Sequence, residues 1–137
     1  MTPHRHEIRV YYEDTDFSGL VYHASYLRFM ERARTELLRE MGLSQRDLLV
    51  GRDDKGFFFV VRAMNIDFRQ PAHMDDLLHV ETRLLEIGGA SVTMSQEVRR
   101  DGALLVGAKV VIALVEGGRA KRMPPQIRVK FEERQHV

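Results

Sequence analysis

A chain of 137 residues, 44% hydrophobic and 30% charged, has the size and make-up of one ordinary globular domain over residues 1–137. Its formal net charge of +1 gives no electrostatic case for nucleic acid. The absence of cysteine excludes disulfides, a thiolate nucleophile and cysteine-bound metal, and it fits the cytoplasm.

The N-terminal Met-Thr-Pro-His-Arg-His-Glu lacks the apolar run of a signal peptide, and His4 and His6 are expected in a mobile tail. Glu7 to Tyr12 reads as a first strand, with Ile8, Val10 and Tyr12 alternating against Glu7, Arg9 and Tyr11. A connection rich in carboxylates follows (Glu13, Asp14, Asp16) and turns at Gly19. Ala24 to Met41 then takes a helical period. Tyr26, Met30, Ala33, Leu37 and Met41 form an apolar stripe widened by Leu27 and Leu38, and Arg28, Arg32, Glu36 and Arg39 lie elsewhere. Gly42 suits the helix stop, and Ser44 suits a cap for a further turn, Gln45 to Leu49. Gly51 to Gly56 reads as a polar loop.

Beyond the loop the period becomes two. Phe58, Val60, Met64, Ile66 and Phe68 are expected on one face of a long strand ended by Pro71. Leu78, Val80, Thr82 and Leu84 mark the next strand, and Val92, Met94, Gln96 and Val98 a third. Gly88-Gly89 and Asp101-Gly102 signal tight turns between antiparallel neighbours. Leu104 to Val115 is apolar on both faces, as an interior strand is. No stretch approaches the ~20 apolar residues needed to cross a bilayer. The order predicts an α+β domain: a five-stranded antiparallel sheet curled around one long central helix, its other face solvated or against a second subunit.

The stretch with most chemical content is the turn before the helix. Carboxylates there stand beside a helix N-terminus, whose free N–H groups suit an oxygen gaining negative charge. That pairing suits acyl transfer. Asp16 also fits a turn-forming aspartate before Gly19. Glu13 and Asp14 cannot readily converge with Asp16 on a cation, because adjacent strand residues alternate faces; Asp14 is expected to make structural hydrogen bonds. No metal is expected. His23, at the helix start, fits either a proton-transfer group or a structural hydrogen-bonding residue. Phe57, Phe58 and Phe59 fit an acyl channel or ordinary sheet packing.

Tyr12-Glu13-Asp14-Thr15-Asp16, then Gly19, Val21-Tyr22-His23, Tyr26 and Glu31-Arg32-Ala33-Arg34 resemble the hotdog-fold acyl-CoA thioesterases. The closest likeness is to the tol-pal-associated acyl-CoA thioesterase group (YbgC), related to the 4-hydroxybenzoyl-CoA thioesterases. It extends from about Glu7 to about Phe131, specific in the first segment and mainly one of layout later. The resemblance implies hydrolysis of acyl-CoA to free acid and coenzyme A, with no cofactor beyond the substrate's own coenzyme A. Asp16 would be the catalytic carboxylate, and the backbone N–H of His23 would polarise the carbonyl. The side chains of His23 and Tyr12 would support them. It implies a homodimer or homotetramer with sites at subunit interfaces.

Arg119, Lys121 and Arg122 form a basic cluster that suits coenzyme A phosphates or a solvated turn. A non-catalytic module that binds acyl thioesters or acyl carrier protein is the alternative of another class. A hotdog dehydratase is the enzymatic one, but it wants its base near the substrate's α- or β-carbon. The acyl chain, and coenzyme A against acyl carrier protein as its carrier, are not set by these residues.

Overall fold

The computed structural model describes residues 1–44 and 57–137. The expected turn over Gln45 to Leu49 and the loop over Gly51 to Gly56 lie outside the described residues. The elements run β1 (His4–Arg9), a single 3-10 turn (Tyr12–Asp14), α1 (His23–Glu40), β2 (Phe57–Phe68), β3 (Leu77–Ile87), β4 (Ser91–Arg100), β5 (Ala103–Glu116), β6 (Arg119–Ala120) and α2 (Pro125–Gln135). The sheet is antiparallel, in the order β1-β3-β4-β5-β2, with β6 added to β5. Among the described residues no helix is long and apolar enough to cross a membrane.

Alternation decides the two sheet faces. Leu78, Val80, Thr82 and Leu84 of β3 and Val92, Met94, Gln96 and Val98 of β4 are all buried, as their period of two predicts. Their neighbours in sequence line the outer face, where Arg83 and Arg99 bracket Glu97 at 3.4 and 3.1 Å. Asp101 and Gly102 both have positive φ, 50° and 84°, which the tight β4–β5 turn requires. β5 lies between β4 and β2, the interior position expected of it; Val110, Ile112 and Leu114 face the core, and Val111 and Val115 on the other face are half-buried.

α1 lays Tyr26, Phe29, Met30, Ala33, Leu37 and Leu38 against the inner face. Leu27 is 44% exposed and does not widen the stripe; Phe29, three residues after Tyr26, takes that place. Between the two apolar halves of the core sits a polar group. Buried Arg34 donates from Nη1 to Gln96 Oε1 at 2.9 Å. Gln96 Nε2 donates to Met30 O and to Thr82 Oγ1, both at 3.0 Å. Burial holds the Arg34 guanidinium below its ordinary range, yet these bonds fix α1 over β3 and β4.

Four expectations need correction. β1 is His4–Arg9, so His4 and His6 are sheet residues paired with Thr82 and Val80 and not a tail. The chain leaves the sheet after Arg9, and Tyr12 enters the 3-10 turn with its side chain 78% exposed. The expected face of β2 is broken by a bulge between Val61 and Ala63. Phe57 and Phe59 face inward before it and Met64 and Ile66 after it, leaving Phe58 and Val60 on the other side; one extra residue reverses the phase of all that follow. Lastly, α2 was not expected. Its Ile127 and Phe131, one turn apart, close the end of the core, and Phe131 meets Phe59 edge-on with centroids 5.7 Å apart. The sheet is therefore covered by two helices.

Candidate active site

The connection from β1 to α1 is held by its own short-range bonds. Asp14 is buried, and its Oδ2 accepts the Tyr11 N–H at 2.9 Å. Its carbonyl accepts the Tyr22 N–H at 2.9 Å and the Ser25 hydroxyl at 3.0 Å. Asp14 thus ties the turn to the start of α1, the structural role expected of it. Thr15 returns to Val21 in a single antiparallel bridge, with Asp16 N–H donating to Leu20 O at 2.9 Å. Between them Gly19, at φ 82°, turns the chain where a side chain would strain it.

This loop presents Asp16 at the surface. Oδ1 accepts both the Ser18 N–H at 2.8 Å and the Ser18 hydroxyl in a short contact. The hydroxyl first, and then the amide, hold the Asp16 carboxyl below the usual carboxylate range. The turn-forming reading of Asp16 is therefore correct as far as Oδ1 goes. Among the described residues Oδ2 has no partner.

α1 begins at His23, with Tyr22 as N-cap and no side chain capping it. Ser25 N–H is used by Tyr22 O at 2.8 Å. Among the described residues the N–H groups of His23 and Ala24 find no acceptor, the orphan donors that a helix start carries. The His23 imidazole sits between the rings of Tyr22 and Phe68, at 4.5 and 6.3 Å. Tyr26 accepts the Ala72 N–H on its phenol oxygen at 3.0 Å, and burial raises the pKa of that phenol, keeping it protonated.

Asp16, Tyr22, His23, Tyr26, Phe68 and Arg69 share one open cleft of about 400 Å³. Asp16 and His23 are thus brought together. Tyr12 does not line the cleft; it contributes its carbonyl, which accepts from Thr15 N–H and Oγ1. Phe57 and Phe59 pack the core, against the acyl-channel reading. The second wall, including Arg69, arrives from the far end of β2. The sequence marked that region only as the end of a strand, Phe68 on its face and Pro71 its stop, and not as a wall of the site, because the approach of β2 to the helix start is a long-range event.

The basic cluster lies elsewhere. Arg119 is in β6, Lys121 pairs with Glu116 at 3.3 Å and sits 5.8 Å from the centre of the Phe57 ring, and Arg122 packs over Gly89. Phe57 and Phe68 are the two ends of the 12-residue β2, about 36 Å apart at ~3.3 Å per residue. Within one chain these cations do not reach the cleft, whereas Arg69, paired with Asp67 at 2.8 Å, lines it.

The sequence profile of the thioesterase superfamily matches residues 18–106. The chain is 43% identical over 126 residues to the acyl-CoA thioesterase YbgC of Haemophilus influenzae, covering 90% of each chain. It is 40% identical over 132 residues to the acyl-CoA thioester hydrolase YbgC of Escherichia coli, covering 94% of this chain and 96% of that one. Among solved structures it is similar to a probable thioesterase from Bartonella henselae, with TM-score 0.85 and 46% identity over 89% of this chain and 99% of that one.

Proposed function

The chain belongs to the thioesterase superfamily, and from that membership we propose that it hydrolyses acyl-CoA thioesters to free acid and coenzyme A. The observation that carries the reading is the shared cleft: Asp16 and His23 both line it, and among the described residues neither Oδ2 of Asp16 nor the N–H of His23 has a hydrogen-bond partner. The thioester carbonyl oxygen accepts that N–H, which strengthens as the oxygen becomes an oxyanion. Asp16 Oδ2 then serves one of two routes. It attacks the carbonyl carbon to give a mixed anhydride that water opens, or it takes a proton from water as the water attacks. In both, the carbon–sulfur bond breaks and coenzyme A leaves as the thiol. Release of thiol from short, long and aromatic acyl thioesters, on coenzyme A and on acyl carrier protein, tests the reading. Tight binding of these thioesters without thiol release would make the protein a binding module instead.

A single-chain cleft open to solvent is completed here by a second copy. β2 is an edge strand, and Phe58, Val60, Val61 and Phe68 are each 37% to 48% exposed. Long edges with exposed apolar side chains are normally covered. Pairing β2 with its own copy about a two-fold axis is antiparallel. It sets the start of one β2 beside the end of the other, and so carries the partner's Arg119, Lys121 and Arg122 toward the Asp16 cleft. This homodimer, alone or doubled to a tetramer, gives coenzyme A phosphates two sets of cations, Arg69 and the partner's cluster. A cysteine-free chain of this kind suits the reducing cytoplasm.

Two predictions follow from this arrangement. Neutralising Arg119, Lys121 and Arg122 together should raise KM for acyl-CoA and weaken its salt dependence, with little effect on a truncated thioester lacking the nucleotide. Equal losses on both substrates would assign the cluster a structural role. His23→Ala leaves the backbone donor in place. That donor is the part worth about 2.7–4 kcal/mol in comparable sites, so the variant should slow turnover less than Asp16→Asn does when both are saturated with the same acyl-CoA. Equal inactivation with an unchanged fold would make the imidazole itself essential.

A further inference from the structure

Among the described residues, both bonds that reach the Asp16 carboxylate come from one residue, and both end on the same oxygen. We propose that Ser18 is a positioning residue for hydrolysis, anchoring Oδ1 of Asp16 so that Oδ2 alone is offered to the thioester. This rests on Asp16 being the reacting carboxylate.

An aspartate's last torsion is broad and roughly two-fold. A half-turn only swaps equivalent oxygens, but smaller rotations swing the carboxylate plane freely unless something holds it. In a solvated loop that swinging of the plane competes with the one orientation that reaches the substrate. Here the loop is already shaped without the hydroxyl. Gly19 N–H closes the turn onto Asp16 O at 3.1 Å, and Asp16 N–H is held by Leu20 O. The Ser18 N–H supplies the side-chain bond that aspartate turns normally use. The hydroxyl is a second donor on an oxygen already engaged. Ser18 is exposed, and among the described residues its hydroxyl has no other partner, so it serves nothing in the core. Charge-assisted bonds of this kind are directional, and two on one oxygen fix the carboxylate plane.

The arrangement has a chemical cost. Bonds to the charged form favour it, so Asp16 is less basic than a free aspartate. Orientation is gained at the expense of basicity, and the carboxylate is harder to protonate than a free aspartate.

Ser18→Ala removes the hydroxyl and keeps the amide bond; Ser18→Thr keeps both. Misplacing a catalytic group by about 1 Å can cost roughly 10²-fold, so with the amide still in place the loss in kcat should be nearer about tenfold. Three readouts are compared: the titration of the Asp16 side-chain carbon by carbon-13 NMR without substrate, kcat, and KM. Ser18→Ala should move the titration midpoint up and lower kcat with KM near wild type, and Ser18→Thr should restore both. An unchanged midpoint, or an unchanged kcat beside a shifted midpoint, overturns the proposal. Asp16→Asn, assayed in parallel, separates the two levels. If it turns over normally, the assignment of Asp16 has failed; if it is inactive and Ser18→Ala is normal, only the role of Ser18 has failed.

Discussion

Asp16→Asn should lower kcat by roughly 10²–10⁴, the span for loss of a positioned base or nucleophile, while thermal stability stays near wild type. The geometry makes this substitution unusually clean. The Asn carbonyl oxygen can take the place of Oδ1 and accept the same two donors from Ser18. The amide nitrogen then stands where Oδ2 stood, and among the described residues Oδ2 bonds to nothing that the change would break. Asp16 is exposed, so no buried charge is lost. Fold and turn persist, and only the reactive oxygen is replaced by a group that neither attacks a carbonyl nor accepts a proton. Thiol release under saturating acyl-CoA measures the effect. Near-normal turnover would sink the role of Asp16 and leave it the turn-former that its Oδ1 contacts already make it.

Much of this site was legible because its parts are local. The carboxylates, Gly19 and His23 lie within eleven residues of one another in the chain, and their bonds are nearly all among themselves. The β3 and β4 faces were legible for a similar reason, since alternation is a property of each strand alone. What escaped was non-local or broken the period. The β2 bulge adds one residue, and a period of two gives no warning of it until the register against β5 is known. α2 buries only Ile127 and Phe131, too few apolar positions for a helical stripe to stand out. His4 and His6 place polar rings where a strand's inward positions are expected to be apolar, which hid the start of β1. The wall carrying Phe68 and Arg69 is brought to the helix start by sheet topology. The same length of β2 that brings it there removes Arg119, Lys121 and Arg122 from the cleft of their own chain.

If the proposed β2–β2 homodimer forms, Val61→Arg should convert it to a monomer of 15.9 kDa and reduce activity at least tenfold in dilute solution. Val61 lies next to the bulge, near the middle of β2, and is 45% exposed in the single chain. In antiparallel pairing of two copies of β2 about their centre, residues near mid-strand meet their own counterparts. Like charges facing each other across a ladder are destabilising. Arg62 already places one cation on each strand there; an arginine at Val61 doubles them, and no carboxylate on β2 lies nearer than Asp67. The apolar edge becomes one of the charged edges that natural proteins use to prevent pairing. Because the side chain is exposed in the single chain, its replacement should cost the fold itself only about 0.5 kcal/mol. The variant should therefore keep its far-UV spectrum while its sedimentation coefficient falls. Activity should recover as protein concentration rises, since mass action favours the pair. A Val61→Arg protein that sediments as a monomer and remains fully active would show that one chain holds the whole site.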